Sequence, residues 1–416
     1  PNKVSALNKC KLSDNEIERI SYIESVANVS FSDLYLMDRV LREKDYHYAF
    51  RYMLICFDEI SSFVKDNQID NVFSEQTWNF ELITSIACSI IGAKSYYVNT
   101  VKVPDGEGVG RFCFFSSYLM NKLPKDREPS ENDFLFSAKF LEDYRKNKQG
   151  TSYLKSLFNK PAIKLNWIGK FINHLKYFLF DKFDLTRRPL LSLVKFKLRL
   201  IFNYLVVSIM NPFNEIDDFK SKPYILIALH KQPDSCVDVA ASAFLNQFEA
   251  VKAFIRKIPL SYDIIIKDHS HALGTNSLSD YKFLSKNPRV ILTNPMSDTF
   301  ALIENAQLVY TLNGTVSLEA AIMGKRSLTA AETFFSMVTM RKAVNPYQVT
   351  TTELTEILNE EPPTDEKIIK YLAAVHANSY IGMVLDPTSN PIYSADKNID
   401  NIYLGFKYFL LKDSDA

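Results

Sequence analysis

Tyr224-Ile225-Leu226-Ile227-Ala228-Leu229 is a nearly continuous apolar run that stops at His230-Lys231-Gln232-Pro233-Asp234. A strand with one wet face alternates apolar and polar residues. A run apolar throughout belongs to a strand covered on both faces, as in a parallel sheet layered between helices. The residues that follow keep that rhythm. Ala240 to Ile258 reads as a helix, Asp263–Lys267 as a strand and Val290–Thr293 as a third strand. Thr299–Asn305 reads as a short helix and Leu308–Leu312 as a fourth strand. Ser317–Met323 is a helix ended by Gly324, and Ser327-Leu328-Thr329 is a fifth strand. Strands alternating with helices in this way predict a doubly wound, Rossmann-like domain.

Working outward, Asn211-Pro212 and the acidic turn Asn214–Asp218 place a domain boundary near residue 215. Residues 1–214 then form an N-terminal domain and 215–416 a C-terminal domain. Residues 14–65 carry apolar positions at helical spacing, through Ile17, Ile20, Ile23 and later Phe50, Met53, Leu54 and Phe57. Asn71-Val72-Phe73 is a short strand ending at Ser74-Glu75-Gln76-Thr77. A helix through Phe80, Ile83, Ile86 and Ile90 closes at Gly92, and Lys94–Val98 is a second strand. This β–α–β unit predicts a second parallel sheet, with Glu75 at a strand's carboxyl end. Residues 106–149 read as polar and irregular, and Gly106, Gly108 and Gly110 lack the spacing of a dinucleotide fingerprint. The aromatic, amphipathic tail Asn401–Leu411 is expected to pack back on the first domain.

Composition excludes several classes. The 416 residues hold 49 Lys+Arg against 48 Asp+Glu, which argues against a general nucleic-acid binder. With 47% hydrophobic and 23% charged residues the chain is neither disordered nor collagen-like. No apolar run approaches the roughly 18–20 residues of a membrane span, and Pro1–Lys11 lacks a signal-peptide core, so a cytoplasmic protein is expected. Cys10, Cys56, Cys88, Cys113 and Cys236 are scattered without a CxxC pair, so no zinc knuckle is expected. Lys164 to Arg199 carries nine Lys/Arg against Asp181 and Asp184, with Trp167, Phe171, Tyr177 and Phe178 interleaved. The basic aromatic helices 164–210 read either as a peripheral contact with an anionic membrane surface or as solvated helices joining two domains.

Three polar clusters follow the carboxyl ends of second-domain strands, where ligands collect in this architecture. The first runs from His230 to Asp238, the second is Lys267-Asp268-His269-Ser270-His271, and the third is Asn313-Gly314-Thr315-Val316-Ser317-Leu318-Glu319. In the third, a tight turn leads into a helix whose first amides suit a phosphate, with Thr315 and Ser317 adding hydroxyls. An ordinary capped helix, with Thr315 and Glu319 as capping partners, is the structural alternative. His269 and His271 lack a third ligand at metal-binding spacing, so a donor histidine beside Lys267 facing a phosphate fits better. Asp234 and Asp238 are carboxylates that can act as nucleophile or base, or cap the helix near Val239, a role that suits Asp238 better than Asp234.

Leu229-His230-Lys231-Gln232-Pro233-Asp234-Ser235-Cys236-Val237-Asp238 resembles a motif of bacterial capsule-polysaccharide glycosyltransferases, usually Leu-His-x-Gln-Pro-Glu-Ala-Ser. Lys267-Asp268-His269-Ser270 resembles their Lys-Glu-His-Pro, with Ser270 in place of the proline. Asn313 to Ala320 resembles their Ser/Thr-rich helix start with its Glu-Ala, followed by Gly324-Lys325. The resemblance is specific over residues 222–335 and is nearest to the retaining β-Kdo transferases of capsule and O-antigen assembly. It extends weakly to Phe73-Ser74-Glu75-Gln76-Thr77-Trp78. It implies a GT-B-like α/β fold, two Rossmann-like domains with parallel sheets facing a central cleft.

It also implies a function: transfer of Kdo from CMP-Kdo to a growing polysaccharide or lipid-linked glycan, without metal or other cofactor. Asp234 takes the nucleophile's role in that resemblance, and Glu75 that of acid/base or acceptor contact. His269 is the third catalytic residue, neutralising the leaving CMP phosphate, and Lys231, Gln232, Lys267, Ser270, Asn313, Gly314, Thr315, Ser317 and Glu319 would hold the CMP-sugar. An inverting CMP-nonulosonate transferase and a non-catalytic polysaccharide-assembly scaffold are the alternatives.

Overall fold

The computed structural model describes residue 7 and residues 11–101, 110–147, 190–214, 222–385 and 391–413. The first unit opens with three helices, α1 (Asp14–Ala27), α2 (Phe31–Met37) and α3 (Tyr46–Asp66). Each starts on a side chain that accepts from free helix amides: Ser13, Ser30 and Asp45. Strand β1 (Asn71–Ser74), helix α4 (Asn79–Ile91) and strand β2 (Lys94–Val101) form the expected β–α–β unit. Gly92 ends α4 at φ 88°, a left-handed conformation that glycine adopts without steric cost.

Beyond β2 the structure departs from the irregular reading of 106–149. Arg111–Phe115 is strand β3 and Glu131–Asn147 is helix α5, while Gly106 and Gly108 lie outside the described residues. Phe112, Cys113, Phe114 and Phe115 are all buried, and β3 runs antiparallel to β2, so only the first pair of this sheet is parallel. Helix α6 (Leu190–Met210) leads to the second unit. Most of the basic segment 164–199 and the boundary at 215 lie outside the described residues.

The second unit alternates β4 (Tyr224–Ala228), α7 (Ser235–Asp238), α8 (Gln247–Ile255), β5 (Asp263–Lys267), α9 (Leu278–Leu284), β6 (Val290–Thr293), α10 (Thr299–Asn305), β7 (Ala306–Thr311), α11 (Val316–Ile322) and β8 (Ser327–Thr329). The single helix expected over 240–258 is broken: a one-turn 3-10 segment at Ser242–Phe244 precedes α8. Asn246 caps α8 through the Glu249 amide and so fixes a later start. All five strands are parallel, in the order β6-β5-β4-β7-β8. All five residues of β4 are buried, as its unbroken apolar run requires.

After α12 (Thr351–Asn359) the chain returns to the first unit. Helix α13 (Asp365–Ala377) packs on α5, with Asp365 bound by both terminal nitrogens of Arg145 at 2.7 and 2.9 Å. Strand β9 (Tyr380–Ile381) pairs antiparallel with β3, and helix α14 (Asp396–Asp413) lies across one face of the sheet, its Phe406 and Phe409 against Phe73, Tyr96 and Phe114. Arg111 anchors the return through the Ser379 hydroxyl at 2.7 Å and the Ser379 and His376 carbonyls. One apolar core runs from Met53 and Ile83 of the first unit to Val239, Leu318 and Ile322 of the second. The result is an α/β protein built on two sheets.

Candidate active site

The order β6-β5-β4-β7-β8 makes β4 the first strand laid down and places the reversal of winding between β4 and β7. In open α/β sheets a ligand crevice forms there, outside the carboxyl ends of the strands. The register is level at that rim, with Ala228 opposite both Lys267 and Thr311. The three polar clusters therefore leave the sheet from one rung.

They are also bonded to one another. His230 Nε2 lies 2.9 Å from Thr311 Oγ1 and accepts the Asn313 amide at 3.2 Å. Asn313 Nδ2 donates to the Cys236 carbonyl at 3.2 Å, and the Leu229 amide donates to the Lys267 carbonyl at 2.9 Å. Gln247, buried at the start of α8, clamps the backbone of His230 from both sides at 3.0 Å. Burial holds His230 down to about 4, against the opposing charge of Asp234. A neutral ring accepting at Nε2 carries its proton on Nδ1. Gly314 is needed for close approach: a Cβ there would stand 2.7 Å from Thr311 Oγ1 and 3.1 Å from His230 Cε1.

The cap falls to Asp234 and not, as expected, to Asp238. Asp234, half-buried, caps α7 by accepting the Cys236 amide at 2.9 Å through Oδ1. Asp238 is buried inside that turn, and Arg42 of the first unit reaches it at 3.4 Å. Burial raises the Asp238 carboxyl above its usual range, with Arg42 opposing. The chain turns into the helix at Asp234, so the capping oxygen is needed four residues before Asp238.

The second loop is held by Asp268, which accepts the amide of His269 at 2.7 Å, Asn276 Nδ2 at 2.8 Å and the Tyr281 hydroxyl. Asp268 is buried, and burial raises its carboxyl. The loop presents His269 at the surface and Ser270 half-buried. His269 Nδ1 accepts the His271 amide at 3.1 Å, which leaves Nε2 to carry the proton outward. Desolvation, then the neighbouring His271, Lys267, His230 and Lys231, hold His269 down to about 4. The ring is therefore a neutral donor near pH 7. Lys267 is buried and turned inward, its Nζ donating to the Pro295 carbonyl at 2.8 Å. Lys231 is exposed on the first loop.

In the third loop Ser317 is fully buried and its hydroxyl donates back to the Gly314 carbonyl at 2.8 Å, so it is occupied internally. Thr315 makes no side-chain capping bond, so the expected capping pair with Glu319 does not form. Thr315 and Glu319 are half-buried beside it. Gln232 donates to the Leu245 carbonyl at 2.9 Å and lines a cavity of about 530 Å³ with Arg42, Lys195, Arg199 and Asn276.

Glu75 is exposed at the end of β1, 3.4 Å from the Thr77 hydroxyl, and no hydrogen bond or ion pair joins it to the three loops among the described residues. Its neighbour Glu81 is the more constrained carboxylate, accepting the amides of Thr77 and Trp78 at 2.6 and 2.8 Å, with its carboxyl raised by burial. What reaches the rim from the first unit is the turn after α2. There Asp38 accepts the Asn79 amide at 2.9 Å, Arg39 lies 4.5 Å over the Trp78 ring, and Arg42 meets Asp238. Sequence reasoning missed Arg42, Gln247 and Asp268. Asp268 alone carried a local signal, standing inside a recognised cluster. Among the described residues no group of three or more His, Cys, Asp or Glu side chains is placed to hold a metal ion.

No protein-family description matches the chain, and no curated protein does. Among solved structures the chain is similar to the Thermosulfurimonas dismutans KpsC β-Kdo 2,7 transferase. The identity is 10%, with 79% of this chain and 84% of that one covered, at a TM-score of 0.41. The β-Kdo 2,4 transferase of the same KpsC is similar at 10% identity over 75% and 80%, with a TM-score of 0.39. The UDP-GlcNAc 2-epimerase of Methanocaldococcus jannaschii follows at 15% identity over 78% and 82%, with a TM-score of 0.26. Similarities this remote carry no argument about substrate or chemistry.

Proposed function

We propose that this chain is a glycosyltransferase that moves Kdo from CMP-Kdo to a growing surface polysaccharide or glycolipid, with retention of configuration. The observation that carries the reading is the shared rung, Lys267-Ala228-Thr311, from which all three family-like motifs leave toward one crevice at the switch point. Residue chemistry at that crevice suits a donor with one phosphate. His269 Nε2–H, the exposed ammonium of Lys231, the Thr315 hydroxyl and the amides around Gly314 supply donors to an anion. Lys267 acts at one remove, fixing the loop from inside.

Asp234 is the nucleophile in this reading. Its Oδ1 is held by the Cys236 amide, and no described hydrogen bond engages Oδ2, so one oxygen orients the group while the other is presented. Attack at the anomeric carbon forms a C–O bond to Asp234 as the bond to the phosphate breaks and CMP leaves with the electron pair. The acceptor hydroxyl then displaces the carboxylate and gives its proton to a general base, the part that falls to Glu75. Glu75 has that part by resemblance, and among the described residues no hydrogen bond or ion pair joins it to the rim.

The test is incubation with CMP-Kdo and a lipid-linked or oligosaccharide acceptor. CMP release, a retained anomer by NMR, and one added sugar on the Asp234 peptide without acceptor are the expected results. An inverted product, or an adduct elsewhere, would overturn the assignment of Asp234. No CMP release with any CMP-activated 2-keto sugar would overturn the enzymatic reading.

A further inference from the structure

Helix α6 has two unlike faces. Phe196, Leu200, Asn203 and Val207 recur at four- and three-residue spacing toward the second unit. Asn203 Nδ2 donates to the Gly274 carbonyl at 3.3 Å, and Val207 is buried in that unit's core. With 3.6 residues per turn, the opposite side of the helix carries Leu191, Leu198, Ile201, Phe202, Leu205 and Ile209, each more than half exposed. Lys197 borders this stripe on one side, and Lys195 and Arg199 border it on the other, all three exposed. The helix contains no acidic residue.

An apolar stripe of this size in water marks an interaction surface. The cations along its borders decide what covers it. A second copy of the helix would set like charges against each other, whereas an anionic lipid surface offers acyl chains to the stripe and headgroup phosphates to the three cations. No described helix is long and apolar enough to cross a membrane, and the inner face of α6 is already committed to protein.

We infer that the outer face of α6 docks flat on an anionic membrane. The same helix then sets the orientation of the molecule. Ser192, Lys195 and Arg199 wall the cavity that Gln232 and Arg42 share, so that cavity opens beside the bilayer, within reach of a glycan anchored there. The inference does not depend on the proposed transfer reaction, because membrane docking needs neither donor nor turnover.

The experiment is co-sedimentation of the full chain with vesicles of phosphatidylcholine alone or mixed with phosphatidylglycerol. Binding to the anionic vesicles should exceed binding to neutral ones by at least about tenfold and weaken as salt is added. The double substitution Leu198→Gln/Leu205→Gln should reduce vesicle binding by at least about tenfold with the melting temperature unchanged. Lys197→Gln should lower binding to anionic vesicles only. Equal binding to neutral vesicles, no binding, or full binding by the leucine variant would overturn the inference. So would a wild-type dimer in sedimentation equilibrium that the leucine variant abolishes, which would assign the stripe to a second copy.

Discussion

Arg42 of the first unit lies 3.4 Å from Asp238, a carboxylate buried at the end of the turn that Asp234 begins. The pair is the one ion pair of the described residues that ties the first unit directly to the rim helix. Asp238→Ala leaves Arg42 facing a cavity and should cost about 1–3 kcal/mol, less than a fully buried pair because Arg42 keeps partial contact with solvent. Chemical denaturation measures it, and if the two act as a pair the double variant Arg42→Ala/Asp238→Ala should cost clearly less than the sum of the two single variants.

Asp234→Asn separates chemistry from structure. Asparagine caps a helix about as well as aspartate, so stability should change by no more than a few tenths of a kcal/mol, about the spread among good capping residues. Transfer should fall by about three orders of magnitude or more, as when a nucleophile acting with its partners is removed. Normal melting with lost CMP release is the expected combination. Substantial turnover would remove Asp234 from the nucleophile's role.

His269 is neutral in the free protein at pH 7, held down to about 4. An anion beside it favours the protonated ring, so bound donor raises its pKa and binding takes up a proton. Donor KM should therefore fall as pH is lowered from neutrality toward the free-state value. His269→Gln should flatten that dependence and weaken donor use by about 10–100-fold, the worth of a charge-assisted hydrogen bond. An unchanged profile would make His269 a loop residue only.

His230 gives a stability signature of opposite origin. Its folded pKa, about 4, lies below the ordinary histidine value of 6.5, so the unfolded chain binds the proton more readily. The folded state keeps its full advantage above about 6.5 and loses it as pH falls from there toward 4. Melting temperatures of wild type and His230→Gln across that window should converge as pH drops. Parallel curves would show that the ring titrates normally.

Gly314→Ala tests the close approach of the first and third loops. The added methyl would press on Thr311 and His230, and neither can withdraw without breaking the bond between them. A loss of about 1–3 kcal/mol is expected, typical of overpacking, together with weaker CMP binding. An alanine variant with unchanged melting and CMP affinity would show that the loops are not held together there.

The second unit was legible because its strands are covered on both faces. Ile225–Ile227 and Ile264–Ile266 are unbroken apolar runs, and such runs have few alternatives. Strand β3 escaped notice for the opposite reason. Its five residues pair with β2 close by, but their outer edge and the face of Phe112 and Phe114 are covered by β9 and α14, partners far along the chain that nothing local announces. The aspartates show the same limit at finer scale. Both Asp234 and Asp238 are sound helix-start residues, and only the position of the turn and the arrival of Arg42 assign one to the cap and the other to the ion pair. Motif residues such as Ser317 and Lys267 lie near the rim, yet their polar atoms turn inward, a rotamer outcome that residue type does not encode.

The pairing of β9 with β3 has a consequence for biosynthesis. Residues 111–115 leave the ribosome long before residues 380–381, and the faces of Phe112 and Phe114 wait for Phe406 and Phe409 at the far end of the chain. Vectorial synthesis ordinarily lets an amino-terminal domain fold first. Here the later-made Rossmann-like unit has every strand it needs by residue 329, while the sheet begun at residue 71 stays open on one edge until residues 380–381 are made. A chain stopped between residues 329 and 380 would hold a complete second sheet beside a first sheet whose β3 lacks its outer neighbour and whose Phe112 and Phe114 lack the cover of α14.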